Sequence, residues 1–460
     1  MDEKIIAYRI PEIPDSLYPQ YQIAAGGDVL AATGDDCEHL LRAVADLPPE
    51  SASVNIRYTF DPRPPNGNMQ DRLGIYVMAR HQDKDLGNSL QLLFERGPLT
   101  RFYRLQRVER FEAPWVELQA ACEILRREDA VEPLHSSEFN FRIPEYYYTI
   151  GPFKPNSRND YVNLDRVLGG IGERVVVDMR VGPTDVSNEL REHTRYLSRL
   201  QSINRAWDSD QDDEPGAQDY LDDSRDWRST REQGLKPLRH TDPLADEIFR
   251  FLRGFHESLR RPHLLFRIIV FAQTPAVARL VGSVVADSGF QEGSYRLLTW
   301  SKGMKYFDEG LRSVKESRVS ALPVHEFLFR GRDTTLYSDL GRLSHLATVD
   351  ELLGVFRLPV SSASSLHCIR KNTDPPHERD EDIIIIGYDQ ENPGLARGPR
   401  VSSLVKHMFV TGTPGTGKTT SILGLLIQLW KNNESISHFC SPSTRKESLL
   451  ASEEIKDQCG

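Results

Sequence analysis

The chain has 460 residues, with 57 Lys and Arg against 67 Asp and Glu for a net charge of −10, so nothing global favours nucleic-acid binding. At 39% hydrophobic and 27% charged residues it has the composition of a folded protein of two to three domains, not of a disordered chain. Its five cysteines, Cys37, Cys122, Cys368, Cys440 and Cys459, are scattered and form no C-x-x-C pair, which argues against a zinc site and for reduced thiols.

Met1-Asp-Glu-Lys-Ile-Ile has early acids and no apolar signal-peptide core. Residues 1–50 read as an irregular lead with one helix near 36–46, ended by Pro48-Pro49. Val54-Asn-Ile-Arg-Tyr-Thr-Phe60 alternates with period two, the pattern of a half-buried strand. The turn Asp61-Pro-Arg-Pro-Pro-Asn-Gly67 follows. Then come a strand from Leu73 to Ala79, a helix over 84–96 and a strand from Phe102 to Val108.

A similar succession recurs. Val175 to Val181 reads as a strand, Leu264 to Ala272 as another, and 275–288 as a helix before the strand Tyr295 to Trp300. Between its first two strands lie two amphipathic helices. One spans about 186–207, with Leu190, Leu197, Leu200, Ile203 and Trp207 at helical spacing. The other spans about 243–260, opening on Thr241-Asp242-Pro243 and carrying Leu244, Ile248, Leu252, Phe255 and Leu259. These helices flank an acidic linker, 208–226, with nine Asp or Glu and one Arg. A calcium loop starting at Asp208 fails there, because Asp213 stands where the sharp turn needs glycine.

The fold class expected is therefore α+β with an α/β end: two N-terminal α+β lobes followed by the start of a RecA-like P-loop domain. The expected segments are 1–170 and 171–302 for the lobes and a connecting region over 303–400. The phosphate loop with its strand and helix takes 401–430, and a polar tail takes 431–460. Within the connecting region, 303–355 reads as helical and polar, and Phe356-Arg-Leu-Pro-Val-Ser-Ser-Ala-Ser-Ser365 as a switch into turn-forming residues. Ile383 to Asp389 reads as a buried strand.

The strongest chemical signature is Gly412-Thr413-Pro414-Gly415-Thr416-Gly417-Lys418-Thr419-Thr420, a G-x-x-x-x-G-K-T phosphate loop. An apolar strand, Leu404 to Val410, enters it, and a helical segment, Lys418 to Trp430, leaves it. That order lets backbone N–H groups converge on phosphate at a helix N-terminus. Lys418 is expected to reach the β- and γ-phosphates, Thr419 to place its hydroxyl on Mg²⁺, and Thr420 to touch the α-phosphate. Hydrolysis also needs an acid for the metal's water shell and a residue that orients water. Residues 431–460 contain no apolar strand ending in Asp. Upstream, Asp389 and Asp178 follow apolar runs, and both read as ordinary strand-end aspartates. The segment Ser421 to Trp430 is half the length of a membrane span, so the protein is expected to be cytoplasmic and not membrane-inserted.

From about Leu352 to Trp430 the chain resembles the HerA/FtsK superfamily of ring ATPases, and HerA-like ATP-binding proteins most. The likeness rests on Phe356-Arg-Leu-Pro-Val, the Ile383–Gly387 run, Lys406-His407 and the loop from Gly412 with its helix. The resemblance implies ATP and Mg²⁺ as cofactors, homo-hexamers, double-stranded DNA as the track, and a nuclease or effector as partner. It stops near Trp430, short of the family's metal acid and arginine finger, so a product interrupted within the ATPase core is expected. Two functions then compete: an ATP-binding portion of a DNA-translocating ATPase, unable to hydrolyse ATP alone, and a non-enzymatic assembly module with a vestigial loop.

Overall fold

The computed structural model describes residues 4–64, 67–109, 115–135, 143–156, 158–203, 242–321, 340–361, 368–372, 387–388, 396–397, 422–424 and 427. The chain forms two compact units, 1–375 and 376–460.

The first unit begins with β1 (Lys4–Ile10) and β2 (Glu12–Pro14), then α1 (Pro19–Ala25) and α2 (Val29–Ala45). The strands β3 (Ala52–Phe60) and β4 (Leu73–His81) follow, then α3 (Lys84–Arg96) and β5 (Gln106–Val108). The chain continues through β6 (Ala120–Arg126), β7 (Glu128–Val131), β8 (Tyr147–Ile150), α4 (Val162–Gly170) and β9 (Val175–Pro183). After α5 (Ser187–Ile203) and α6 (Pro243–Ser258) come β10 (His263–Ala272), α7 (Pro275–Gly289) and β11 (Tyr295–Ser301). Last are α8 (Lys305–Lys315), β12 (Leu346–Thr348), the single turn α9 (Val349–Leu352) and β13 (Arg370–Asn372).

Eight of these strands form one path in the order β5–β1–β4–β3–β9–β10–β6–β11, and β12 pairs with the start of β10. Every pairing in this sheet is antiparallel. The order resolves into two copies of one plan. In the first half β1, β3, β4 and β5 are the four strands in chain order, and in the second half β6, β9, β10 and β11. Each half places them fourth, first, third, second, the split β-α-β arrangement of ferredoxin-like folds. The helices α2 and α3 occupy the two helical connections of the first half, and α4 and α7 those of the second. The halves join edge to edge through their second strands, β3 and β9, from Val54 opposite Val181 to Phe60 opposite Val175.

Period-two alternation explains both faces. On one, Val54, Ile56, Tyr58 and Phe60 line up with Val177, Met179, Phe266 and Ile268, and pack under Leu40, Leu41, Leu164, Leu168, Val281 and Val285 of the helices. On the other, Phe307 and Val314 of α8 cover Ala121, Ile269, Phe271 and Trp300. A third core joins α5, α6 and β8 through Leu197, Leu200, Leu252, Phe255 and Tyr148.

The structure departs from the expectations at definite places. The lead over 1–50 contains β1, and the helix expected near 36–46 starts at Val29, where Asp28 accepts a hydrogen bond from the N–H of Ala31. The second half of the sheet begins at Ala120, not at 171, because β6 pairs with β10 and β11. Its Ala-Ala-Cys-Glu-Ile-Leu-Arg is buried throughout, so it carries no alternation to detect. The strand at 54–60 is not half-buried: Asn55 is 0% and Arg57 1% exposed. Of the polar helical stretch expected over 303–355, α8 is helical, whereas 346–348 is a strand. The acidic linker 208–226 lies outside the described residues.

In the second unit, β14 (Gly387–Tyr388) pairs antiparallel with β15 (Ala396–Arg397), and Ile422–Gly424 is helical. Among the described residues no helix is long and apolar enough to cross a membrane.

Candidate functional site

All nine residues of the expected nucleotide site, Gly412 to Thr420, lie outside the described residues, as do Asp389 and the entering strand Leu404 to Val410. Of the helix that leaves the loop, Ile422 and Leu423 are helical and exposed at 38% and 39%. The other aspartate of interest, Asp178, is fully described. It lies inside β9, not at its end, and is 0% exposed.

Asp178 belongs to a band of charges on the α8 face of the sheet, at the junction of the two halves. The register sets Arg57 opposite Asp178 and Asn55 opposite Arg180. It sets Arg267 opposite Arg180, and Ile269 opposite both Asp178 and Glu123. Arg57 Nε donates to Asp178 Oδ2 at 2.6 Å, and Asn55 Nδ2 to the same oxygen at 3.1 Å. The Arg180 guanidinium is ion-paired with the other Asp178 oxygen. Arg267 meets Glu123 through two contacts, 2.6 and 3.1 Å. Chain segments over the sheet close the band. Arg57 Nη2 donates to the Val314 carbonyl at 2.7 Å, and Arg180 Nη1 to Ser313 Oγ and the Arg318 carbonyl, both at 2.6 Å.

Among the described residues, the guanidinium groups of Arg57, Arg180 and Arg267 face the carboxylates of Asp178 and Glu123. Burial, with Arg267 and Arg57 alongside, pushes Arg180 down to about 10, although Asp178 opposes the shift. Arg180 therefore remains charged at neutral pH. Arg180 Nη2 and Arg267 Nη1 have no hydrogen-bond partner, so the acids are committed to neutralising charge. Asp178 is thus unavailable to hold a metal's water shell. Among the described residues no group of three or more His, Cys, Asp or Glu is placed to hold a metal ion.

A second buried ion pair anchors the segment that leads, in sequence, out of this unit. Arg126 Nη1 and Nη2 contact Glu351 Oε1 and Oε2 at 2.8 and 2.9 Å. The same guanidinium donates to the carbonyls of Gly151 and Leu346 and lies between the rings of Phe153 and Phe255. Glu351 also accepts the N–H groups of Phe153 and Thr348, completing a capping box around α9. Burial opposes ionisation of Glu351, but Arg126 and those N–H donors outweigh it and hold the carboxyl below its usual range.

Beyond α9 the chain runs as a strap over the helical side. Phe356, Leu358 and Val360 are each 1% exposed. Tyr58 donates to the Arg357 carbonyl at 2.9 Å, Tyr103 to those of Leu358 and Pro359 at 3.3 and 3.2 Å, and Tyr161 to that of Val355. Burial raises the pKa of all three hydroxyls, which stay protonated donors. Gly354 is required by close approach, since a Cβ there would lie 2.0 Å from the Gly289 carbonyl oxygen. The strap then pairs β13 in parallel with β2 and ties Arg370 to Asp71 at 3.0 Å. Phe356 to Val360, which carried part of the family resemblance, are thus packing residues of the large unit.

The band was missed in the sequence although a signal was present. Each charge interrupts an apolar strand: Asp178 and Arg180 within Val175–Val181, Glu123 within Ala120–Leu125, and Arg267 within Leu264–Ala272. Such charges are buried only when paired. Two surface hollows, about 470 and 620 Å³, are bordered chiefly by polar residues such as Asn156, Gln291, Asn188 and Glu192.

No protein-family model matches the chain, and no curated protein matches it significantly.

Proposed function

We propose that the chain is an ATP-binding protein whose loop Gly412–Thr420 holds Mg²⁺-ATP, and that it forms part of a HerA-like, DNA-translocating ATPase assembly. The observation that carries this reading is the motif Gly412-Thr-Pro-Gly-Thr-Gly-Lys-Thr-Thr, set between an apolar run and a helical one. Three glycines allow backbone N–H groups to approach the phosphates, Lys418 supplies the point charge at the β/γ position, and the Thr419 hydroxyl ligates Mg²⁺. The helical state of Ile422–Gly424 is consistent with a helix leaving the loop.

These 460 residues bind nucleotide without turning it over unaided, because no strand-terminal acid follows the loop in 431–460 and Asp178 is consumed by Arg57 and Arg180. Residues 1–375 serve as the assembly and recognition unit of the same chain. The track is double-stranded DNA and the partner a nuclease or effector.

The test is equilibrium titration of the purified chain and its Lys418→Ala variant with a fluorescent ATP analogue and Mg²⁺. Saturable binding by the parent, weakened by at least about tenfold in the variant, is the expected result; tenfold corresponds to about 1.4 kcal/mol. Equal or absent binding in both would remove the proposed chemistry and leave residues 1–375 as a module for assembly alone.

A further inference from the structure

We propose that His193 and His256 form an acid-sensitive latch that holds α5 against α6 and releases this helical pair while the central sheet stays folded. The two histidines face each other across the helices that bracket residues 204–241. Their Nδ1 atoms are 3.2 Å apart and their rings lie within 11° of parallel. One Nδ1 carries the hydrogen and the other accepts it, so the contact requires at least one neutral ring. His193 is 0% and His256 8% exposed.

Among the described residues no carboxylate is paired with His193. Phe255 and Tyr196 pack edge-on against its ring, at 5.7 and 6.5 Å between centroids. Its Nε2 has no hydrogen-bond partner. Tyr196 is engaged with the Tyr148 backbone, and Tyr148 donates to Glu128. On α5, Glu189 is paired through Oε1 with Arg342, its Oε2 having no hydrogen-bond partner, and Glu192 is paired with Arg195. At His256, burial and then Arg260 oppose protonation and Glu257 favours it. Beyond Phe255 lies another cation, Arg126, 5.1 Å from that ring. Burial and His256 together depress His193 to about 3.

In the opened state His193 regains its ordinary value of 6.5, whereas in the closed state it stays unprotonated down to about 3. Acid below pH 6.5 therefore favours opening. At pH 5 a single histidine of this kind raises the opening equilibrium roughly thirtyfold over its value above pH 7. The helices share a core, with Leu197, Leu200, Ile248 and Leu252, that is distinct from the one beneath β3 and β9 and meets the sheet at Leu265 of β10 and Leu346 of β12, where burial also pushes His345 down to about 4.

Hydrogen exchange followed by mass spectrometry on the full chain tests this, with rates corrected for the intrinsic pH effect. From pH 7.5 to 5, peptides from 190–203 and 244–258 should lose protection by roughly thirtyfold or more, while those from β3 and β9 keep theirs. His193→Gln should reduce the acid response of the helices to a few-fold, and His256→Gln should retain most of it. Parallel loss in helices and sheet, or an unchanged response in His193→Gln, would overturn the proposal. If His193→Gln does not fold, the imidazole NMR titration of the parent decides: protonation of His193 at pH 5 without loss of helical protection would contradict the latch.

Discussion

Asp178→Ala is expected to destabilise residues 1–375 by about 3–5 kcal/mol, the cost of removing one partner from a buried ion pair. Arg57 and Arg180 both rely on this carboxylate, and neither is more than 1% exposed. Removing it takes from two buried guanidinium groups the carboxylate they share. Asp178→Asn should cost nearly as much, because it preserves shape but not charge. The surface variant Asp246→Ala breaks the exposed pair with Arg250 and should cost no more than about 0.5 kcal/mol. Urea unfolding of the three variants checks this ordering. A loss below about 1 kcal/mol for Asp178→Ala would mean that the band is far wetter than its burial implies.

Glu351→Ala is expected to be comparably severe, at about 3–5 kcal/mol, and to act at a different place. It strands Arg126 between two phenyl rings, removes the capping box of α9, and frees the N–H groups of Phe153 and Thr348. The first peptides to lose amide protection should be those of the strap, 353–361, and of β12. Glu351→Gln keeps an acceptor for those N–H groups and should recover part of the loss. Combined with Arg126→Met, Glu351→Ala should cost less than the sum of the two single variants, with a coupling of about 0.5–3 kcal/mol. Strict additivity would show that the two residues do not act as a pair.

How far the fold could be read depended on pattern. β3 and the helices α3, α5, α6 and α7 were legible because their apolar residues recur with period two or 3.6 and their starts carry capping signals: Asp83, Asp242 and Thr274 accept hydrogen bonds from the following N–H groups. β6 was not, since burial on both faces erases alternation, and β1 was lost beside the Pro11 and Pro14 breaks. Without those two strands each half reads as three strands and the doubled plan stays hidden. Charges inside apolar strands marked the buried band, but pairing across β3, β6, β9 and β10 is set by tertiary register, which no local window contains. The proposed phosphate loop is the opposite case, because its motif is contained in nine consecutive residues of the sequence.

The most direct measurement of the central claim is hydrogen exchange over 404–427 in the full chain with and without Mg²⁺-ATP. Backbone N–H groups of Gly412 to Thr420 are the proposed phosphate ligands, so peptides spanning them should gain protection when nucleotide and Mg²⁺ are both present. That gain should vanish in Lys418→Ala. Unchanged exchange across 412–420 at saturating nucleotide, or protection confined to residues 1–375, would contradict the account.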